Sequence, residues 1–247
     1  MRNSVFQRPE TSMLSLQNFP TGFRAVVFGS SGGIGREIFN ALEAEPACGE
    51  VIGYSRSTVP AFDLEDEASI EQAAAAMADK GPIHLVVDAT GLLHDARMQP
   101  EKSISAVDPE VIARSFAVNA TGPLLLLKHF HHLMPRHERS VFATISARVG
   151  SIEDNRLGGW YGYRASKAAL NMFLKTASIE IARKRPQAIC LALHPGTVET
   201  PLSAPFAGDR TLLSANNAAR LLLDVIDKAD GDSSGSFFAY DGQEIAW

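Results

Sequence analysis

Cysteine is nearly missing from this sequence: Cys48 and Cys190 are its two, one beside a Pro/Gly/acidic loop and the other inside an apolar run. They form no C-x-x-C and no Cys/His pair at zinc spacing, so a disulfide framework and a structural zinc lack their ligands, and no metal site is expected. Such usage points to a reduced, cytoplasmic setting. Long apolar runs are missing as well. Stretches such as 124–127 fall far short of the ~20 residues that span a bilayer, and Arg2 and Arg8 are followed by no apolar segment of the secretory kind. No membrane partner is expected. Nor is positive charge in surplus: 23 Lys and Arg against 28 Asp and Glu leave −5, which gives no general basic field for a phosphate backbone and argues against nucleic acid as a partner.

What the chain has is enough apolar residue, 45%, to bury a sizeable core. Residues 1–20 read as a flexible N-terminal arm, and 21–247 as one domain. Short β-branched or aliphatic runs from Arg24 and at 51–54, 59–62, 83–89, 141–146, 188–194 and 236–240 predict strands. Helical patterns cover 34–45, 69–79, 109–133 (opened by Pro109, stopped by Pro135), 163–185 and 216–229. Strands regularly separated by helices predict an α/β, Rossmann-like doubly wound fold, with a mostly parallel sheet of about seven strands and helices on both faces.

Three motifs carry chemistry. GSSGGIG, over 29–35, follows the first strand and opens the first helix. Gly29, Gly33 and Gly35, with Gly32, Ser31 and Ile34 between them, give a turn where backbone can approach a pyrophosphate at a helix N-terminus. At the tip of the second strand, Tyr54-Ser55-Arg56-Ser57 has no carboxylate to hold a ribose 2′-hydroxyl; Arg56 instead suits a 2′-phosphate, which predicts NADP(H) in preference to NAD(H). Tyr163 and Lys167 stand at i and i+4, one turn apart on one helix face. An ammonium placed there is expected to draw the phenol's pKa down towards the working range.

With its G-x-x-x-G-x-G turn, its βαβ order and Tyr163-Arg164-Ala165-Ser166-Lys167, the chain resembles the short-chain dehydrogenase/reductase family from about Arg24 to the C-terminus. Within it, SARVGSIEDNRLGGWYGYRASKAALN and the ending FFAYDGQEIAW look most like the C-factor-like and sniffer-like carbonyl reductases. The resemblance implies Asp63 and Leu64 against adenine, and Asp88-Ala89-Thr90-Gly91 as the counterpart of the family's Asn-Asn-Ala-Gly turn, with the glycine kept and Ala89, Thr90 and Gly91 lining the cofactor. It implies Asn119 in the proton relay and Pro195, Gly196, Val198 and Thr200 about the nicotinamide. Catalysis would rest on Tyr163, Lys167, Asn119 and a serine, with Tyr163 and Lys167 also touching the cofactor.

The serine departs from the pattern. The family's S-x-x-G position before Gly150 holds Ala147, and Ser146 lies one place earlier, where a regular strand would turn it to the other face. Ser151 is the other candidate. The interval 163 − 146 = 17 is longer than the family's, which points to a loop with Glu153, Asp154, Asn155, Arg156 and Trp160 beside the substrate. His129, His131, His132 and His137 read as a solvated helix face, and His194 as structural. The expected function is NADP(H)-dependent hydride transfer between nicotinamide and a small carbonyl or alcohol, by a homodimer or homotetramer with Tyr163 as general acid/base. The alternative, suggested by Ala147, is a cofactor-binding signalling protein with little turnover.

Overall fold

The computed structural model describes residues 15–206, 208 and 211–247. Its strands are β1 (Phe23–Phe28), β2 (Cys48–Tyr54), β3 (Leu85–Asp88), β4 (Ser140–Ile145), β5 (Ala188–His194) and β6 (Ser236–Ala239). Its α-helices are α1 (Gly33–Glu43), α2 (Glu67–Ala75), α3 (Pro109–Phe116), α4 (Gly122–Phe130), α5 (Tyr161–Ala182) and α6 (Ala215–Lys228). The strands pair in parallel, in the order β2-β1-β3-β4-β5-β6. Strands β3 and β4 are buried along their whole length, as aliphatic runs covered on both faces must be. Against one face lie α2, α4 and α5, through Ile70, Leu126, Phe130 and Leu174. Against the other lie α1 and α6, through Ile38, Leu42, Leu222 and Ile226. The α/β doubly wound fold expected from the sequence is the fold of the protein.

Three details differ from expectation. Residues 59–62 form no strand, so the described residues make six strands rather than seven. Pro60 brings no N–H to a ladder, and of the four residues only Phe62 is buried, against Phe28 and Tyr54. The helix expected over 109–133 is divided into α3, a π-helical turn at Ala117–Thr121, α4 and a final 3₁₀ turn. Pro123 has no N–H for the carbonyl one turn earlier, and α-helical bonding gives way there. Of the arm expected over 1–20, residues 1–14 lie outside the described residues. Leu16 and Phe19 are buried on the α1/α6 side of the core, and the Asp227 carboxylate accepts from the N–H groups of Gln17 and Asn18.

The chain runs outward from β1 to β2 and returns to β3 on the other side of β1. Connections therefore part above the carboxyl ends of β1 and β3, leaving a crevice where ligands of such sheets bind. Register sets Phe28 beside Asp88 and Asp88 beside Thr144 at that edge.

Candidate active site

Between β1 and α1 the chain turns so tightly that side chains are excluded. Gly29 has φ +77°, and a Cβ there would lie 2.9 Å from the Ala89 carbonyl oxygen. A Cβ on Gly35 would lie 2.2 Å from the Gly29 carbonyl oxygen, and one on Gly33 2.6 Å from Thr200 Cγ2. The turn thus folds on itself and meets both β3's exit and the 195–200 segment. Helix α1 has no side-chain cap and no acidic residue in its first turn, so its free N–H groups and positive end suit a pyrophosphate. Ser31 and Gly32 are exposed on this turn, and Ile34 packs inward. By this steric test the turn fits a dinucleotide.

At the end of β2, Ser55 is buried and bonds Ser57 through their hydroxyls at 2.9 Å, while Arg56 is exposed. Asp63 is exposed, its carboxylate accepting from Glu65 N–H. Leu64 is buried beneath α4, where a Cβ on Gly122 would meet its Cγ at 2.4 Å. On the opposite side of the crevice Pro195 and Val198 are buried, and Glu199 and Leu213 are tied by N–H donation to each other's strand-like segment. Gly196 packs so close to Tyr240 that a Cβ would come within 2.8 Å of its ring.

The floor of the site is polar and buried. Asp88 accepts from Thr144 Oγ1 at 2.6 Å, from Thr90 Oγ1 at 2.5 Å and from Thr90 N–H at 3.0 Å. Burial raises its carboxyl above the usual range, against these bonds and the charge of Lys167. Asn119, fully buried, accepts from Leu92 N–H and donates to Leu92 O, both at 2.7 Å, and donates to Ser166 Oγ at 3.2 Å. Its amide therefore fixes the chain just after Gly91 to the helix carrying Tyr163. Lys167 Nζ donates to Ile145 O at 2.8 Å and lies 6.0 Å from the centre of the Tyr163 ring. Burial lowers Lys167 to about 8, with Asp88 opposing.

Tyr163 corrects one expectation. Burial pushes its phenol up to about 12, opposite in direction to the lowering expected from the ammonium. The proton stays on Tyr163 at neutral pH, an arrangement suited to a donor. No bulge twists the end of β4, which pairs regularly with β5 through Ile145 and Leu193, and the Ser146 hydroxyl donates to Asn171 Oδ1 at 2.6 Å, towards α5. Ser151 is buried, accepting from Asp154 N–H and donating to Trp247 O. Among the described residues neither hydroxyl is hydrogen-bonded to Tyr163. Burial drops His194 to about 4, consistent with a structural residue, and His129 is engaged with Glu67 at 2.8 Å on the surface.

An aromatic wall stands beside Tyr163: the Trp160 ring lies 6.1 Å from Tyr163 and 5.2 Å from Phe206, and Phe206 lies 5.3 Å from His94. The long interval before Tyr163 signalled Trp160, but the partners Phe206 and His94 come from distant segments and left no local pattern. Glu101 and the buried charge of Asp88 were also missed.

The chain has relatives among known proteins. The family model for short chain dehydrogenases matches residues 24–210. The 1-hydroxy-2-glutathionyl-2-methyl-3-butene dehydrogenase of Rhodococcus sp. is 31% identical over 188 residues, 76% of this chain and 79% of the relative. The C-signal of Myxococcus xanthus is 36% identical over 146 residues, 59% of this chain and 84% of the relative. Among solved structures, the carbonyl reductase Sniffer of D. melanogaster superposes with a TM-score of 0.78 at 22% identity, covering 92% of this chain and 100% of that one. The NADPH-bound carbonyl reductase from chicken fatty liver gives 0.78 at 23%, covering 93% and 100%. Joined to the glycine turn at the strand crossing and the Tyr163/Lys167 pair beside it, the match places the chain in the short-chain dehydrogenase family of nicotinamide-dependent oxidoreductases.

Proposed function

We propose that the protein reduces a small carbonyl compound, or oxidises the matching alcohol, with NADP(H), and that Tyr163 is its proton donor. The observation that carries this reading is the Tyr163 phenol, half-buried against Trp160, one helical turn from fully buried Lys167 at the crevice. The turn at 29–35 would hold the pyrophosphate and Arg56 the 2′-phosphate. Asp63 and Leu64 would border adenine, and Ala89, Thr90, Gly91, Pro195, Gly196, Val198 and Thr200 the nicotinamide half. When bound, the nicotinamide supplies or accepts hydride. Tyr163 orients the substrate oxygen by hydrogen bonding and gives it the proton; Lys167 holds its ammonium beneath the phenol, and Asn119 fixes the 92 backbone against α5. Trp160 and Phe206 shelter the reacting oxygen from water.

The test is a fluorescence titration with NADPH and NADH, followed by aldehydes, ketones and quinones, on the protein and on Tyr163→Phe. We expect NADPH to bind more tightly, Arg56→Glu to remove that preference, and Tyr163→Phe to bind NADPH while losing at least about a hundredfold in turnover. A Tyr163→Phe variant as active as the parent sinks the assignment. A second reading, a cofactor-binding signalling protein, is favoured by Ala147 and by the diversion of Ser146 to Asn171, in a chain similar to C-signal. It is the outcome if NADPH binds and no carbonyl in the panel oxidises it.

A further inference from the structure

Glu101 is one of the few buried carboxylates, 5% exposed, and it takes no part in the chemistry proposed above. Its carboxylate accepts, through both oxygens at 3.2 Å, from the N–H of Gly162 in the first turn of α5. Its backbone carbonyl accepts from Trp160 N–H at 2.5 Å. Among the described residues no cation forms an ion pair with it. A buried carboxylate held by one N–H and the end of a helix dipole is a costly way to begin a helix, since a Ser or Asn cap would serve with less desolvation.

The cost falls where the backbone is also strained. Gly158, Gly159 and Trp160 have φ of +64°, +66° and +54°, three successive left-handed residues, the last of them a bulky tryptophan. Arg164 holds the carbonyl side of this turn, donating to Gly159 O at 3.0 Å and to Gly158 O at 3.2 Å. On its amide side the Glu101 backbone carbonyl holds Trp160 N–H, and the Glu101 carboxylate holds Gly162 N–H where the turn passes into α5. Between them the turn cannot relax, and the two things it fixes are the Trp160 ring against Tyr163 and the first turn of α5, from which Tyr163 projects. The fit is tight enough that a Cβ on Gly162 would lie 3.0 Å from Glu101 Oε1.

We infer that Glu101 is a positioning residue for the reaction: it clamps the left-handed turn before α5 so that Tyr163 and Trp160 are held in working geometry. The inference rests on the reductase reading for its kinetic consequence but on the clamp itself for its structural one. Because displacement of a reacting group by about 1 Å can cost on the order of a hundredfold in rate, loss of the clamp should act on kcat rather than on cofactor affinity.

The test compares Glu101→Ala, Glu101→Gln and Arg24→Ala, the last removing the Arg24–Glu50 pair at the amino-terminal end of β1, at the opposite end of the sheet from the crevice. All are made in a Trp247→Phe background, where Trp160 is the only tryptophan of the original two. Expected are a kcat at least about tenfold lower for Glu101→Ala, with NADPH Kd within about twofold of the parent, and a red-shifted Trp160 emission. Glu101→Gln, which keeps an acceptor for Gly162 N–H, should restore most of kcat, and Arg24→Ala should lower stability and leave kcat and emission in place. Equal kcat losses in Arg24→Ala and Glu101→Ala at matched loss of stability, or a Glu101→Ala protein with parental kcat or parental emission, overturn the inference. If the parent oxidises no NADPH with any carbonyl, the reductase reading fails by itself, and the emission comparison still decides whether Glu101 clamps the turn.

Discussion

At the scale of single residues, the site is a contest between burial and charge. Lys167 is 2% exposed, and among the described residues the buried carboxylate that supports its ammonium is Asp88, itself held by three hydrogen bonds from Thr90 and Thr144. Asp88 raises Lys167 against the lowering by burial, so removing its charge must move Lys167 below about 8. For Asp88→Asn we expect the alkaline limb of kcat/KM to shift to lower pH, which a pH–rate profile of both proteins measures; an unmoved limb means Asp88 does not feed Lys167. Ala147 offers the reverse experiment. Its backbone is extended, at φ −149° and ψ 142°, so a hydroxyl is added without strain. Since one well-placed donor to a developing oxyanion is worth about 10²–10³ in rate, Ala147→Ser should raise kcat for carbonyl reduction by at least about tenfold, and a steady-state assay showing no gain would place the substrate oxygen elsewhere.

At the scale of elements, strands β1, β3, β4 and β5 and helices α1, α5 and α6 were legible because each carries one unambiguous period or an apolar run bounded by Gly or Pro. The strand expected at 59–62 and the unbroken helix over 109–133 were not, since propensity cannot register that Phe62 packs as a single side chain or that a π turn is inserted before Pro123. In the site, motifs with a fixed local spacing, the glycine turn and the Tyr163/Lys167 pair, were legible. The fates of Ser146 and Tyr163 were not, because Asn171 and the depth of burial belong to tertiary packing. The β1–α1 turn yields the sharpest prediction of this rank. A methyl on Gly35 must displace the Gly29 carbonyl, so Gly35→Ala should cost about 1–3 kcal/mol of stability and spread the turn enough to abolish NADPH binding. Urea unfolding and a fluorescence titration read the two effects; tight NADPH binding by this variant would show that the pyrophosphate does not use the turn.

At the scale of the whole molecule, the buried site couples folding to pH. Lys167 titrates near 8 when folded and near an ordinary 10.5 when unfolded, so between these values the unfolded chain binds the extra proton. Stability from this group is fully present above about 10.5 and is lost as pH falls through 8, a swing of about 3 kcal/mol at 1.36 kcal/mol per unit. Tyr163 works the other way, but later: its phenol is raised from 10.0 to about 12, so the unfolded chain loses that proton first and stability declines only above pH 10. His194, lowered from 6.5 to about 4, adds stability that is complete above 6.5 and disappears on acidification through 4. Unfolding by urea at pH 7.5, 8.5 and 9.5 should therefore show the protein gaining on Lys167→Met at each step, because methionine has no proton to release. A difference between the two proteins that stays constant over this range would mean that Lys167 keeps its proton when buried, and that Asp88 compensates its charge in full.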